Sequence, residues 1–223
     1  MRIACPNMSD IKLTYFNLRG RGELARLVLA YGNIKYEDVR VTVPWVDPKP
    51  WIDMKPSVLY NQLPNLSWNG HIIAQSIGIA RFLAKKVGIS GRDDLEAAQV
   101  DEVVYALQDA LAFGWDAMFE EDEPRKLKML DKYRAEVVPS ILSHLESRLV
   151  GRGGQFLVGN AFSLADLQLF FFCSELELSW LQKVDDKKFP SLVGLAARVG
   201  NLPNIKHWIE TRPKTTGPND ISL

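Results

Sequence analysis

The sequence contains few cysteines, no long hydrophobic segment and no excess of charge of either sign. Its two cysteines, Cys5 and Cys173, form neither a C-x-x-C pair nor a disulfide framework, which is typical of a reducing compartment. The longest apolar run, residues 169–173, is far too short to cross a bilayer, and the first residues lack the apolar core of a signal peptide. We therefore expect a cytoplasmic protein without a membrane partner.

Charge and histidine content argue against nucleic-acid binding and against a metal site. The 27 lysines and arginines equal the 27 aspartates and glutamates, so no net field attracts nucleic acid or an anionic membrane. The three histidines lack the spacing of metal ligands. The acidic run 120–123 precedes Pro124, where acids usually form the solvated start of a helix. We expect no nucleic-acid partner and no bound metal.

The hydrophobic pattern changes near residue 90. Before it, short β-branched runs alternate with helical segments, and Asn69-Gly70 is a strong hairpin signal. After the linker 88–93 only helical spacing continues, and Ser163 with Asp166 is suited to begin a helix. We predict an α/β domain over residues 1–88 and an all-helical domain over residues 95–223. The expected strands are 11–16, 36–43, 63–68 and 71–73, and the expected helices are 23–31, 76–87, 95–118, 124–149 and 163–180.

The hexamer Gly20-Arg21-Gly22-Glu23-Leu24-Ala25 lies between the first strand and the first helix and matches the permissive form of the dinucleotide fingerprint. A dinucleotide fold needs repeated βαβ units in a parallel sheet. This sequence offers one such unit, followed by an antiparallel hairpin. We therefore interpret the match as accidental.

Two segments of the first domain favour a small extended ligand that carries a carboxylate. In Gln62-Leu63-Pro64, a proline that enters a strand cannot donate to the sheet and belongs at an edge or turn, where a cis bond is tolerated. Such a bend leaves the Leu63 backbone available to an extended ligand. Gln75-Ser76 stands directly before an apolar helix whose first N–H groups are available to an anion.

These motifs together resemble those of sigma-class glutathione transferases, whose relatives include glutathione-requiring prostaglandin D synthases and the S-crystallins. The resemblance covers essentially the whole chain and is carried by residues 12–21, 62–64, 74–77 and 208–213. It implies a thioredoxin-like N-terminal domain, an all-α C-terminal domain and a homodimer.

The resemblance assigns Tyr15 as the residue whose hydroxyl donates a hydrogen bond to the sulfur of glutathione, with Arg21 adding a positive field. A free thiol titrates at roughly 8.5, so only a few per cent is nucleophilic at neutral pH. One charge-assisted hydrogen bond together with a nearby cation is of the right size to lower that pKa by about two units. The pattern alone favours a structural interpretation, in which Tyr15 ends a strand in the core and Arg21 is a solvated helix residue, and the surrounding motifs reverse this preference.

The resemblance also implies the other contacts with glutathione. Lys55 would meet the glycine carboxylate, and Gln75 with Ser76 the γ-glutamyl end. The segment 43–49 departs from the family pattern by a few extra residues, and Trp45 to Lys49 repeats the spacing of Trp51 to Lys55, so either pair could make the contact. The seven-residue distance from Lys55 to Gln62 favours the second pair. The expected glutathione contacts are Tyr15, Arg21, Trp51, Lys55, Gln62, Leu63, Pro64, Gln75, Ser76 and Asp109.

The second substrate is expected to be hydrophobic. Its candidate pocket residues are Phe16, Leu18, Phe113, Trp115, Gln168 and Phe172, although aromatic residues at helical spacing more often belong to a core. In the prostaglandin D synthases, the acid that aligns with Asp109 reaches the glutathione of the other subunit. Further acids there gather a divalent ion, but the aligned residues here are Tyr105 and Gln108, so no metal is expected.

The sequence therefore predicts a glutathione transferase that activates the thiol through Tyr15 and joins it to hydrophobic electrophiles. Two alternatives stay open. One is a glutathione-dependent isomerase of a prostaglandin endoperoxide. The other is a crystallin-like structural or ligand-carrying relative without turnover. The structural alternative is disfavoured, because a purely structural protein would not need Tyr15, Arg21, Gln75 and Ser76.

Overall fold

A computed structural model describes residues 11–178 and 184–215. Cys5 and the predicted helix end at Trp180 lie outside these residues. The chain forms two compact units: the first contains the described residues up to Val87 together with those from Pro203 onward, and the second is Gly88–Leu202. Within the described ranges no helix is long and apolar enough to cross a membrane.

The first unit is built on a four-stranded sheet with the strand order β2-β1-β3-β4. Strand β1 pairs in parallel with β2 and antiparallel with β3, and β3 pairs antiparallel with β4. One βαβ crossover followed by a hairpin gives this mixed sheet, as the sequence predicts. The elements are β1 Ile11–Phe16, α1 Gly20–Tyr31, β2 Glu37–Val41, α2 Lys49–Met54, β3 Asn65–Trp68, β4 His71–Ala74, α3 Ser76–Val87 and α9 Pro203–Thr211.

Local sequence explains the strand β1 and the hairpin of this unit. In β1 the alternate residues Ile11, Leu13 and Tyr15 are buried, as expected for a strand with one face on a core. Asn69 and Gly70 have φ angles of 49° and 81°, which is the left-handed region that a two-residue hairpin of type I′ requires. The hairpin prediction is confirmed.

Helix α9 groups with the first unit, whereas we expected residues 203–223 to belong to the helical domain. The anchor is Glu23 of α1, a buried carboxylate that accepts hydrogen bonds from Trp208 Nε1 at 2.8 Å and Arg212 Nη1 at 2.9 Å. Burial alone raises the pKa of Glu23, but the charges of Arg26 and Arg212 and the Trp208 indole outweigh it and hold the pKa below its usual value. These contacts join residues almost 190 positions apart, and sequence spacing does not reveal them.

The second unit is helical throughout its regular elements in the described range. The helix predicted over residues 124–149 is interrupted by a π-helical turn at Tyr133–Val137. Pro139, in the first turn of the following helix, has no N–H to continue the hydrogen-bond ladder, which accounts for the interruption. The helices are α4 Asp94–Met118, α5 Glu123–Lys132, α6 Val138–Gly151, α7 Leu164–Leu178 and α8 Pro190–Gly200.

Asp166 fixes the start of helix α7 more extensively than the sequence predicts. Its carboxylate accepts hydrogen bonds from the backbone N–H of Ser163 at 2.8 Å, from the Ser163 hydroxyl at 3.1 Å and from the backbone N–H of Leu157 at 2.9 Å. The Ser163 contact is the acidic half of a capping box. The Leu157 contact also joins the preceding loop to the helix.

Asp166 makes stability depend on pH in a measurable way. Burial raises its pKa to about 6 from 3.8, although the hydrogen bonds from Leu157 and Ser163 oppose the shift. Between these values the folded protein binds a proton that the unfolded chain has released, so the free energy of unfolding falls as the pH rises through the window. We expect the free energy of unfolding to fall by about 3 kcal/mol across this window. In Asp166→Asn, which has no carboxyl group to titrate, this fall should be absent. Urea unfolding of both proteins at several pH values tests this, and parallel curves would contradict it.

Candidate active site

Tyr15 lies at the carboxyl end of strand β1, beside the first turn of helix α1. Its side chain is 6% exposed, and its hydroxyl oxygen accepts a hydrogen bond from the backbone N–H of Arg21 at 3.0 Å. A hydroxyl that accepts a hydrogen bond from a helix N-terminus is polarised to donate its own proton more strongly. The Arg21 side chain itself is exposed.

The two glycines of the Gly20-Arg21-Gly22 turn make room for the Tyr15 ring. A Cβ atom at Gly22 would lie 2.5 Å from Cδ1 of Tyr15 and 2.7 Å from its Cγ. A Cβ at Gly20 would lie 2.9 Å from the Tyr15 hydroxyl, and Gly20 also has a positive φ of 36°. The glycine spacing that matches the dinucleotide fingerprint therefore has a different physical cause here, which is the close approach of helix α1 to a tyrosine ring.

A partly exposed apolar wall adjoins Tyr15. Tyr15 packs in one cluster with Leu63, Phe16, Leu18 and Trp51. The Phe16 and Trp51 rings meet edge to face at 5.2 Å between centroids. The structure thus brings together two predicted hydrophobic-substrate residues with three predicted glutathione contacts.

The pair Trp51 and Lys55 lies at this wall. Trp51 contacts the Tyr15 cluster, and the Lys55 ammonium lies 5.9 Å from the centroid of its ring. In the competing pair, Trp45 is 40% exposed, and Lys49 forms a 2.6 Å ion pair with Asp53 on an exposed surface. This geometry favours Trp51 and Lys55 as the ligand contacts.

The segment around Gln62 and the start of helix α3 meet through side chains. Gln75 Nε2 donates a hydrogen bond to Gln62 Oε1 at 3.3 Å, and the Leu63-Pro64 peptide bond is cis. Gln75 has a φ of 69° and directly precedes Ser76, the first residue of α3. The amides of Gln62 and Gln75 and the N-terminus of α3 are groups that bind a carboxylate.

The remaining predicted site residues belong to the second unit. Asp109 is exposed on helix α4. Phe113 and Trp115, on the same helix, are partly buried, and Phe113 stacks on Tyr133 with 6.0 Å between centroids. Gln168 and Phe172 of helix α7 are completely buried, and neither amide atom of Gln168 has a hydrogen-bond partner among the described residues.

Within residues 11–178 and 184–215, no group of three or more histidine, cysteine, aspartate and glutamate side chains could hold a metal ion. The absence of a metal remains an expectation from the sequence.

Comparison with known proteins identifies the family. The model of the glutathione S-transferase N-terminal domain matches residues 11–85, and that of the C-terminal domain matches residues 108–212. The chain is 36% identical to the hematopoietic prostaglandin D synthase of Gallus gallus over 210 residues, which cover 93% of this chain and 99% of that protein. It is 35% identical to glutathione S-transferase S1 of Drosophila melanogaster, with 94% and 82% covered.

Solved structures agree with this match. The prostaglandin synthase D of Nilaparvata lugens has a TM-score of 0.82 at 30% identity, with 92% of this chain and 98% of that chain covered. The glutathione S-transferase of Ascaris lumbricoides has a TM-score of 0.80 at 34% identity, with 92% and 98% covered. The predicted fold, a thioredoxin-like domain followed by a helical domain, is confirmed. The chain belongs to the glutathione S-transferase family.

Proposed function

We propose that this glutathione transferase uses the Tyr15 hydroxyl to stabilise the thiolate of bound glutathione and joins the sulfur to a hydrophobic electrophile. The observation that carries the proposal is the hydrogen bond from the Arg21 N–H to the Tyr15 oxygen, which directs the hydroxyl proton to another acceptor. Lowering a thiol pKa by about two units requires about 2.7 kcal/mol of selective thiolate stabilisation. A charge-assisted hydrogen bond supplies about 1.5–3 kcal/mol, so one hydroxyl is of the required size.

Glutathione would be held by the groups that surround Tyr15 in the first unit. Gln75, Ser76 and the start of helix α3 suit the γ-glutamyl carboxylate, while Lys55 beside Trp51 suits the glycine carboxylate. The Leu63 backbone at the cis bond suits the extended peptide. The proposed contacts are Tyr15, Arg21, Trp51, Lys55, Gln62, Leu63, Pro64, Gln75 and Ser76.

The electrophile would be apolar. Phe16 and Leu18 contribute a partly exposed apolar surface in the Tyr15 cluster. In the helical unit, the proposed pocket residues are Phe113, Trp115, Gln168 and Phe172. The complete burial of Gln168 and Phe172 makes those two the weaker members of the set.

Turnover of glutathione with a chlorinated nitrobenzene tests the proposed activity. The reaction forms a carbon–sulfur bond and releases chloride and a proton, and its product is coloured. We expect saturation by both substrates. A protein that binds glutathione but forms no conjugate would support the crystallin-like alternative instead.

We place the enzyme in the sigma class of glutathione transferases. Identity of 32–36% to proteins named hematopoietic prostaglandin D synthase supports a sigma-class assignment. The same names keep isomerisation of a prostaglandin endoperoxide as a second candidate, which incubation with that substrate and glutathione would test. Detoxification in the cytoplasm remains the proposed role.

We also propose a homodimer in which Asp109 approaches the glutathione of the partner subunit. Each unit exposes large apolar side chains that an interface would cover: Tyr60 and Ile72 in the first unit, and Leu95 and Tyr105 in the second. Sedimentation at micromolar concentration would give twice the chain mass of 25.2 kDa. A stable monomer would contradict the proposal.

Removing the charge of Asp109 is expected to weaken glutathione binding without affecting folding. Asp109→Asn should raise the KM for glutathione about fivefold, which corresponds to the loss of roughly 1 kcal/mol from one exposed charge pair. Asp131→Asn is the matched control, because Asp131 is also exposed but lies on helix α5. Millimolar magnesium should leave the activity unchanged. An unaltered KM in Asp109→Asn contradicts the cross-subunit role, and magnesium stimulation contradicts the absence of a metal.

A further inference from the structure

A buried arginine lies against the Tyr15 ring. Arg26, in the middle of helix α1, is completely buried, and its guanidinium carbon is 5.7 Å from the centroid of the Tyr15 ring. Arginine is almost never fully buried without paired charges. A guanidinium within about 6 Å of an aromatic centroid interacts favourably with the electron density of the ring.

Three groups hold Arg26 in this position. Nη1 donates to the backbone oxygen of Leu18 at 2.8 Å and lies 3.4 Å from Oε2 of Glu23. Nε donates to Oδ1 of Asp38 at 3.1 Å. Nη2 is buried and has no hydrogen-bond partner among the described residues. The guanidinium is therefore oriented by contacts on two of its three nitrogens.

The two carboxylates that contact Arg26 are each shared with a second arginine. Asp38 also pairs with Arg40 at 2.7 Å, and Glu23 also pairs with Arg212 at 2.9 Å. The cluster thus contains three guanidinium groups and two carboxylates. Nearby Tyr36 stays neutral, because burial and the charge of Asp38 raise the pKa of its phenol.

We propose that Arg26 is a positioning residue for Tyr15, whose ring it fixes and whose hydroxyl it strengthens as a hydrogen-bond donor to the glutathione thiolate. A cation at the ring stabilises electron density there, so the phenol releases its proton toward an acceptor more readily. The arginine touches neither the sulfur nor the electrophile and acts only through the tyrosine. This inference rests on the proposed role of Tyr15.

The test is the pKa of the bound glutathione thiol, followed by the ultraviolet absorbance of the thiolate as the pH is raised. Arg26→Met removes the charge, and Arg26→Gln does so while keeping a planar donor for the Leu18 oxygen. We expect either folded variant to raise the thiol pKa by about one unit, which lowers the thiolate fraction about threefold at pH 7 and about tenfold well below pH 6. The KM for glutathione at pH 7 should rise by no more than about threefold, because thiolate stabilisation is also part of the binding free energy. Arg26→Lys, which keeps the charge, should lie closer to wild type than Arg26→Gln.

A control variant and a double variant distinguish a positioning role of Arg26 from a general loss of structure. Arg198→Met is the matched control: Arg198 donates to the backbone oxygens of Gly154 and Gln155 in the other unit, so its loss should not alter the thiol pKa. In a Tyr15→Phe background, Arg26→Gln should have no further effect on the thiol pKa. A thiol pKa unchanged in Arg26→Gln, or a full effect in the Tyr15→Phe background, overturns the proposal. A wild-type thiol that titrates like free glutathione overturns the role of Tyr15 itself.

Discussion

Tyr15→Phe is expected to lose about 25-fold in the rate of glutathione conjugation at pH 7 and about 100-fold well below pH 6, where the full loss of about 2.7 kcal/mol of thiolate stabilisation is felt. The KM for glutathione at pH 7 should rise by no more than about fourfold, because the proposed carboxylate contacts lie on Lys55, Gln75 and Ser76 and only the thiolate stabilisation is lost. The deficit should shrink as the pH rises above about 6.5 and largely disappear above roughly 8.5, where a thiol ionises without help. Steady-state rates across this pH range measure the effect.

The control for this variant is Tyr133→Phe. Tyr133 is, like Tyr15, a buried tyrosine, its hydroxyl has no hydrogen-bond partner among the described residues, and it lies in the helical unit. Its loss should leave conjugation unchanged. A Tyr15→Phe enzyme with wild-type activity at neutral pH would show that the hydroxyl does not stabilise the thiolate.

Gly22→Ala should disable the enzyme through the position of Tyr15. Alanine normally stabilises a helix interior by about 1 kcal/mol relative to glycine. At Gly22, however, the new Cβ would lie 2.5 Å from a buried ring, so the ring or helix α1 must move. We expect destabilisation by about 1–3 kcal/mol and a loss of at least about tenfold in conjugation rate, since about 1 Å of misplacement is sufficient for such losses. Thermal unfolding and steady-state kinetics measure the two effects.

Gly194→Ala is the matched control for the glycine prediction. Gly194 lies inside helix α8, and among the described residues a Cβ there would meet only Nη1 of Arg198, at 3.8 Å. This substitution should stabilise the protein by about 0.5–1 kcal/mol and leave activity unchanged. If Gly22→Ala behaved in the same way, the close approach of α1 to the tyrosine would not matter for function.

Elements with local signals were predicted accurately from the sequence. The strand Ile11–Phe16 follows from alternation, and the Asn69-Gly70 hairpin follows from the backbone conformation that these two residues favour. The π turn at Tyr133–Val137 was missed, because helical spacing continues through it. The contacts of Glu23 that join α1 to α9 and Arg212 were not predicted either, since they connect residues almost 190 positions apart.

In the candidate site, too, the residues with local sequence signals were predicted, and those that depend on tertiary contacts were not. Tyr15, Gln62 and Gln75 stand in recognisable motifs, and their environment could be anticipated from short segments. The interval from tryptophan to lysine is the same in both pairs, so in the sequence only the distance to Gln62 favours Trp51 and Lys55 over Trp45 and Lys49. Arg26 was missed entirely, since an arginine in a helix is solvated by default and only the tertiary structure places it against the Tyr15 ring.

The most direct measurement of the central claim is the pKa of the glutathione thiol in the complex with the wild-type protein, obtained from the ultraviolet absorbance of the thiolate against pH. Tyr15→Phe serves as the reference variant. The account predicts a wild-type value about two units below the roughly 8.5 of a free thiol, and a value close to that of the free thiol in Tyr15→Phe. Equal thiol pKa values in the two proteins would contradict it.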